Sequence, residues 1–118
     1  MRFSSINRVR IGVFGGMGAI AGSAFYYKLT LAFKGFSEVA QPMVFLLSDP
    51  AVPRRDHSLE KVLKGEVPEM FYEKILKGLN FFKQQEVDFV VVPCNTFHFF
   101  HEKFQSDSGV RILNMIDI

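Results

Sequence analysis

The feature of this sequence that most constrains its fold is an alternation of short apolar runs with longer segments of helical periodicity. Met43 to Leu47 and Phe89 to Val92 are apolar at every position, which is typical of strands that are covered on both faces of a sheet. Between them, Met70 to Gln84 repeats its apolar residues at the spacing of one helix face. Strands that alternate with helices predict right-handed βαβ units and therefore a parallel sheet.

The whole chain can be assigned in this way, which predicts an α/β fold with a parallel four-stranded sheet and flanking helices. The predicted strands are Arg8 to Phe14, Met43 to Leu47, Phe89 to Val92 and Arg111 to Met115, and the predicted helices are Ala19 to Phe33, Met70 to Gln84 and Asn95 to Phe104. The length of 118 residues suits a single domain. The sequence stops at Ile118, directly after the last predicted strand and without a covering helix, so we expect one lobe of a longer protein.

The composition argues against several classes of protein. The chain is 48% hydrophobic and 22% charged, as in a soluble domain with a substantial core, and its net charge is only +2. Because the basic residues are scattered, no nucleic-acid partner is predicted. The run from Ile11 to Tyr27 is dense in glycine, which argues against a membrane helix or a signal peptide. A single cysteine excludes an internal disulfide and fits a reducing cytosol, so a cytoplasmic location is predicted.

The residues with the most chemical potential lie in three predicted loops, which are Gly15 to Gly18, Ser48 to Arg55 and Cys94 to His98. Each loop follows a predicted strand. In an open parallel sheet, ligands bind beyond the carboxyl ends of the strands. We therefore expect the functional site at this edge of the sheet.

The first loop is rich in glycine. Gly16 to Ala21 reads G-x-G-x-x-A between a strand and a helix, and Asp49 ends the second strand, an arrangement that resembles a dinucleotide-binding fingerprint. The same glycines are also explained by a tight turn, which needs their conformational freedom. Another anion, such as a carboxylate, would suit the backbone N–H groups equally well. All three interpretations stay open at this point.

The second loop carries adjacent arginines, Arg54 and Arg55, among turn-forming residues. A guanidinium group binds carboxylate or phosphate with two parallel hydrogen bonds, and the nearby prolines stiffen the loop. The alternative is an ordinary solvated loop in which one arginine pairs with Asp56.

The third loop holds the only cysteine, Cys94, where a strand stops and a helix is predicted to begin. The positive end of a helix stabilises a thiolate, so this position favours a nucleophilic or basic cysteine. A small buried apolar residue is the plainer alternative. A metal site lacks a second cysteine or a carboxylate cluster to complete its ligands. A cysteine-histidine hydrolase would need His98 as the base, one turn along the same predicted helix, which is an unusual route.

Taken together, the three loops resemble the aspartate/glutamate racemase superfamily. The segments that carry this likeness are IGVFGGMGAIAGSAFYYKL at 11–29, SDPAVPRR at 48–55 with KGEVP at 64–68, and VPCNTFH at 92–98. Their order and spacing match the branch of aspartate racemases and broad-specificity amino-acid racemases. The likeness extends from about Arg10 to the end of the chain.

This resemblance implies a fold of two similar α/β lobes and a mechanism that needs no cofactor. One cysteine from each lobe lies on opposite faces of the substrate Cα; one thiolate removes the α-proton and the other thiol returns a proton. By residue matching, Cys94 is the catalytic cysteine of the first lobe. The implied substrate-binding residues are Met17, Gly18, Arg55, Asn95 and Thr96, with Arg55, Asn95 and Thr96 holding carboxylate groups of the substrate.

The chain departs from the family pattern at several positions. Ala19 stands where the family has proline after its glycine loop, and Gly22 stands where it usually has threonine. Arg54 replaces the aspartate of the family's P-D-R loop, which makes the site more basic and affects substrate preference. The second lobe and its cysteine are absent, so a two-base mechanism cannot run within this chain.

The expected function is therefore that of an amino-acid racemase of the aspartate/glutamate type in an incomplete form. Residues 1–118 form its N-terminal lobe, and the expected ligand is a small amino acid or dicarboxylate. A homodimer or a complementing second lobe is the expected protein partner, and no metal, other cofactor or membrane partner is predicted. The alternatives are a dinucleotide-binding module and a non-catalytic half-site for small carboxylates.

Overall fold

The structure is a computed structural model that describes residues 8–15, 19–49, 64, 69–94 and 96–113. Its regular elements, in chain order, are β1 (Arg10–Phe14), α1 (Ala19–Ala32), β2 (Met43–Leu47), α2 (Glu69–Gln84), β3 (Phe89–Val91) and α3 (His101–Ser108). Two 3₁₀ helices, Glu38–Ala40 and Thr96–Phe100, lie between them. None of the helices in the described part of the chain is long and apolar enough to cross a membrane.

The strands form a sheet in the order β2-β1-β3, and both pairings are parallel. Ile11 of β1 lies opposite Val44 of β2 on one side and Phe89 of β3 on the other. The first strand is central because each crossover returns the chain to an edge of β1. The predicted α/β fold with a parallel sheet is confirmed.

The predicted fourth strand is not confirmed, because the described residues contain three strands and one isolated bridge. Ile112 lies opposite Val90, whose N–H donates to Arg111 and whose carbonyl accepts from Leu113. The N–H and carbonyl of Ile112 face away from β3 and bond to side chains of α3 instead, Gln105 Oε1 at 2.8 Å and His101 Nε2 at 2.7 Å. These side chains cover an edge that would otherwise be open.

The larger hydrophobic core lies between the sheet and the helices α2 and α3. It contains five fully buried phenylalanines, Phe14, Phe71, Phe82, Phe97 and Phe104, together with aliphatic residues such as Ile75 and Leu79. Close approach of α2 to β1 depends on glycine, since a Cβ at Gly12 would lie 2.6 Å from Cδ1 of Phe82. The apolar stripe predicted for Met70 to Gln84 faces this core, as expected from its period.

The opposite face of the sheet is covered by α1 over a smaller cluster. Ile11, Val13 and Val91 are buried there, and Phe25 and Leu29 of α1 pack against them. Ile20, also an apolar residue of α1, is 86% exposed. It lies two residues before the buried Gly22, about 200° around the helix from the surface that contacts the sheet.

Candidate active site

The carboxyl ends of the strands meet at one edge because the sheet is parallel. Gly15 follows β1 directly, and its N–H donates to the carbonyl of Leu47 at the end of β2, 2.7 Å away. The loop that follows β3 begins at Val92 and reaches Cys94 two residues later. The starts of the three predicted loops are thus brought together by the fold.

Cys94 is a free, half-buried thiol that packs against the larger core. The preceding Val92 is fully buried, and the Cys94 N–H donates to the Val92 carbonyl at 2.8 Å. A bond between residues i+2 and i closes a very tight turn around Pro93. The cysteine is therefore carried by a compact turn at the end of a buried strand and is neither sealed in the core nor fully exposed.

The helix predicted for Asn95 to Phe104 is found in two parts of different type, and Asn95 itself lies outside the described residues. Thr96–Phe100 forms a 3₁₀ helix, and α3 begins only at His101. Side chains at i and i+3 align in a 3₁₀ helix, which lets both Phe97 and Phe100 enter the core. Cys94 therefore lies two residues before a 3₁₀ helix and does not directly precede α3.

His98 is buried beside this turn, with only 8% of its surface exposed. Its Nε2 lies 3.0 Å from the carbonyl of Val92, and its Nδ1 has no hydrogen-bond partner within the described part of the chain. Burial lowers the pKa of His98; the bond to Val92 opposes this shift and the nearby His101 adds to it. Neither ring nitrogen of His98 bonds the thiol of Cys94, which argues against the cysteine-histidine hydrolase.

His98 and His101 do not form part of a metal centre in the described residues. No group of three or more His, Cys, Asp or Glu side chains among them is arranged to hold a metal ion. The Nε2 atom of each histidine instead contacts a backbone carbonyl, that of Val92 for His98 and that of Ile112 for His101.

A pair of glycines joins α1 to the end of β1. A Cβ added to Gly22 would lie 2.9 Å from the Cα of Gly15, closer than real Cβ contacts come. Gly22, which stands where the family usually has threonine, therefore permits a close approach between α1 and the end of β1. The sequence marked Gly22 as a departure but did not reveal this packing role.

A cavity of about 230 Å³ opens at the ends of β1 and β2, on the side of α2. Its lining combines apolar and charged residues, namely Phe14, Leu47, Gly78 and Phe81 with Asp49, Lys74 and Lys77. The sequence did not point to it, because lysines on the polar side of an amphipathic helix usually face only solvent.

Most of the predicted substrate-binding residues lie outside the described residues: Met17, Gly18, Arg55 and Asn95. Thr96 is described only as the first residue of the 3₁₀ helix that follows Cys94. For the dinucleotide alternative, Gly16 and Gly18 also lie outside, whereas Asp49 follows β2 and lines the cavity. Of the predicted site, the structure thus describes Cys94 and the backbone at Thr96.

Comparison with solved structures identifies proteins of the same fold. Aspartate racemase from Picrophilus torridus matches 92% of this chain and 69% of its own length, with 26% sequence identity and a TM-score of 0.69. A protein assigned as an Asp/Glu racemase from Yersinia pestis matches with 16% sequence identity and a TM-score of 0.69. An aspartate racemase homologue from Pyrococcus horikoshii matches with 17% sequence identity and a TM-score of 0.64. No protein-family sequence model matches the chain.

The predicted resemblance to the aspartate/glutamate racemases is confirmed by these neighbours, each of which aligns with 92% of the chain. The chain spans 46% and 45% of the Yersinia pestis and Pyrococcus horikoshii proteins. The match is consistent with a partial lobe of the racemase fold. The dinucleotide-binding alternative is not favoured, since these neighbours carry the names of racemases or racemase homologues.

Proposed function

We propose that residues 1–118 are the N-terminal lobe of a cofactor-independent amino-acid racemase of the aspartate/glutamate type, with Cys94 as one catalytic thiol. The observation that carries the proposal is the half-buried Cys94 at the carboxyl edge of a sheet shared with an aspartate racemase. The expected substrate is a small amino acid or dicarboxylate. The single cysteine of the chain fits the reducing conditions of the cytoplasm, which is the location we propose.

In the proposed reaction, the Cys94 thiolate takes the α-proton of the amino acid and becomes a thiol. The electron pair of the broken C–H bond stays on Cα and is delocalised into the substrate carboxylate. A Cα proton is far too weakly acidic for this step unless fixed donors stabilise the developing negative charge. We assign that role to Arg55, Asn95 and Thr96, and the lining of the substrate site to Met17 and Gly18.

Inversion of the substrate also needs a proton donor on the opposite face of Cα. The chain has one cysteine, so the second thiol must come from a complementing lobe or from a second copy of the chain. A chain without that partner can still carry out half of the reaction. It can remove the α-proton and return a solvent-exchanged proton to the same face.

This half-reaction can be tested with the 118-residue chain in D₂O. The chain is incubated separately with L-aspartate and D-aspartate, and the loss of the Cα–H signal is followed by ¹H NMR. Because one thiol reaches only one face of Cα, we expect exchange in one enantiomer and retention of its configuration. A dimer that presents two thiols would exchange both enantiomers and invert them, which also supports the proposal.

The matched controls are Cys94→Ala, which has no acidic proton, and Cys94→Ser, which keeps the size of the side chain. Both should abolish exchange. Retention of the Cα–H signal in both enantiomers, or exchange at an unchanged rate in Cys94→Ala, would contradict a catalytic role for this cysteine. If equilibrium dialysis shows that aspartate binds but no Cα exchange occurs, the result favours a non-catalytic half-site over a racemase. If NAD binds and aspartate does not, the result favours a dinucleotide-binding module.

A further inference from the structure

The carbonyl of Val92 accepts two hydrogen bonds that converge on the turn of the cysteine. The first comes from the N–H of Cys94 at 2.8 Å, and the second involves Nε2 of His98 at 3.0 Å. The first bond closes the turn, and the second ties the turn to a side chain of the following 3₁₀ helix. Val92 itself is fully buried.

The bond to Val92 determines the tautomer of His98. A carbonyl oxygen only accepts hydrogen bonds, so Nε2 must carry the proton. The Nδ1 atom is buried without a hydrogen-bond partner among the described residues, and an added proton there would have no acceptor. The ring is therefore neutral, with its single N–H directed at Val92, and it cannot act as a base through Nε2.

Packing holds the His98 ring in this position. The fully buried ring of Phe97 meets it edge-on, with 5.2 Å between the ring centroids. The ring of His101, the first residue of α3, lies with its centroid 5.8 Å from that of His98. A donor that is buried and restrained in this way loses little conformational entropy when it forms its bond.

We propose that His98 is a positioning residue that holds the turn from Val92 to Cys94 and so directs the thiol of Cys94. Its importance for catalysis rests on the proposed function, but its effect on the turn does not. Nothing in the family resemblance above assigns a role to this histidine. His98 acts through the backbone and is not expected to touch the substrate.

The first test measures how fast iodoacetamide alkylates Cys94 under native conditions. His98→Leu removes the donor at similar volume, whereas His98→Gln keeps an N–H at the end of the side chain. His101→Leu is the matched control, because it removes the equivalent bond to Ile112 and leaves the turn of Cys94 intact. The free energy of unfolding of each variant, from urea titration, separates local opening of the turn from general instability.

We expect alkylation to be about fivefold faster in His98→Leu, the factor that corresponds to one lost hydrogen bond. His98→Gln and His101→Leu should stay within about twofold of the wild type. An equal increase in His98→Leu and His101→Leu, or an unchanged rate in His98→Leu, would overturn the proposal.

The second test needs no variant and so does not depend on the folding of His98→Leu. Long-range ¹H–¹⁵N correlation spectra of the wild-type chain identify which nitrogen of His98 is protonated. The Nε2–H form is expected; the Nδ1–H form would leave no donor for Val92 and would refute the positioning role. If Cα exchange fails while alkylation responds to His98→Leu, the proposed function is wrong and the positioning role stands.

Discussion

Replacement of Gly12 by alanine tests the close packing between β1 and α2. The added Cβ would lie 2.6, 2.9 and 3.0 Å from Cδ1, Cε1 and Cγ of Phe82. The ring of Phe82 is fully buried and packs edge-on against Phe14, so it has no free space to enter. Overpacking of this kind costs about 1–3 kcal/mol, whereas the change from glycine to alanine within a strand returns about 0.5–1 kcal/mol. The expected net change is therefore a loss of up to about 2.5 kcal/mol.

The measurement is the free energy of unfolding from urea titration, followed by far-UV circular dichroism because the chain has no tryptophan. Gly35→Ala is the matched control, since no atom lies within 4 Å of a Cβ at that position. That variant should be neutral or more stable by about 0.4–1 kcal/mol.

A double-mutant cycle identifies the contact that is responsible. Phe82→Ala removes Cγ, Cδ1 and Cε1, the three atoms that the new Cβ meets, so the alanine at position 12 should cost less in that background. The expected coupling energy is about 1 kcal/mol or more. If Gly12→Ala is as stable as Gly35→Ala, or if the two changes are additive, the inferred contact between Gly12 and Phe82 is wrong.

Two further predictions concern other contacts. In Gly22→Ala, the gain of about 1 kcal/mol expected for alanine in a helix should be absent, because the new Cβ meets the backbone of Gly15 at 2.9 Å; a variant with a higher urea midpoint than the wild type would refute this packing. The second concerns Asp107, which accepts a hydrogen bond from the Tyr72 hydroxyl at 2.7 Å and pairs with Lys103 at 3.3 Å. The Tyr72 bond and then the Lys103 bond lower the pKa of Asp107 below its ordinary value, so its contribution to stability is present at neutral pH and is lost as the pH falls through the folded-state pKa. The difference in urea midpoint between the wild type and Asp107→Asn should therefore shrink below about pH 4, and a difference that stays constant would count against the contact.

The fold was largely predictable because its strands and helices have distinct periods. β2 is continuously apolar, and the stripe of α2 repeats at helical spacing. The burial expected for β2 on both faces is wrong, because β2 is an edge strand of the described sheet and none of its residues is fully buried. These patterns depend on local geometry, so they can be read without knowledge of distant contacts. The parallel arrangement followed from the alternation of strands and helices.

The details around the site were less predictable because long-range contacts decide them. The segment after Cys94 has an apolar spacing compatible with more than one helix type, since residues i and i+3 such as Phe97 and Phe100 share a face in both the α and the 3₁₀ form. Ile20 is apolar and lies in α1, but the face of α1 that contacts the sheet carries Gly22, Phe25 and Leu29, and Ile20 is exposed. Neither outcome is encoded in the local pattern alone.

The sequence by itself determined the order of the elements, the edge of the sheet where the site was expected, and the resemblance that singled out Cys94. Only the tertiary structure decided that His98 binds the carbonyl of Val92 and that side chains of α3 cover the edge at Ile112. The physical reason is that periodicity records which side of an element is buried, whereas a hydrogen bond requires a donor and an acceptor at a defined distance. That distance exists only after the helices have packed on the sheet.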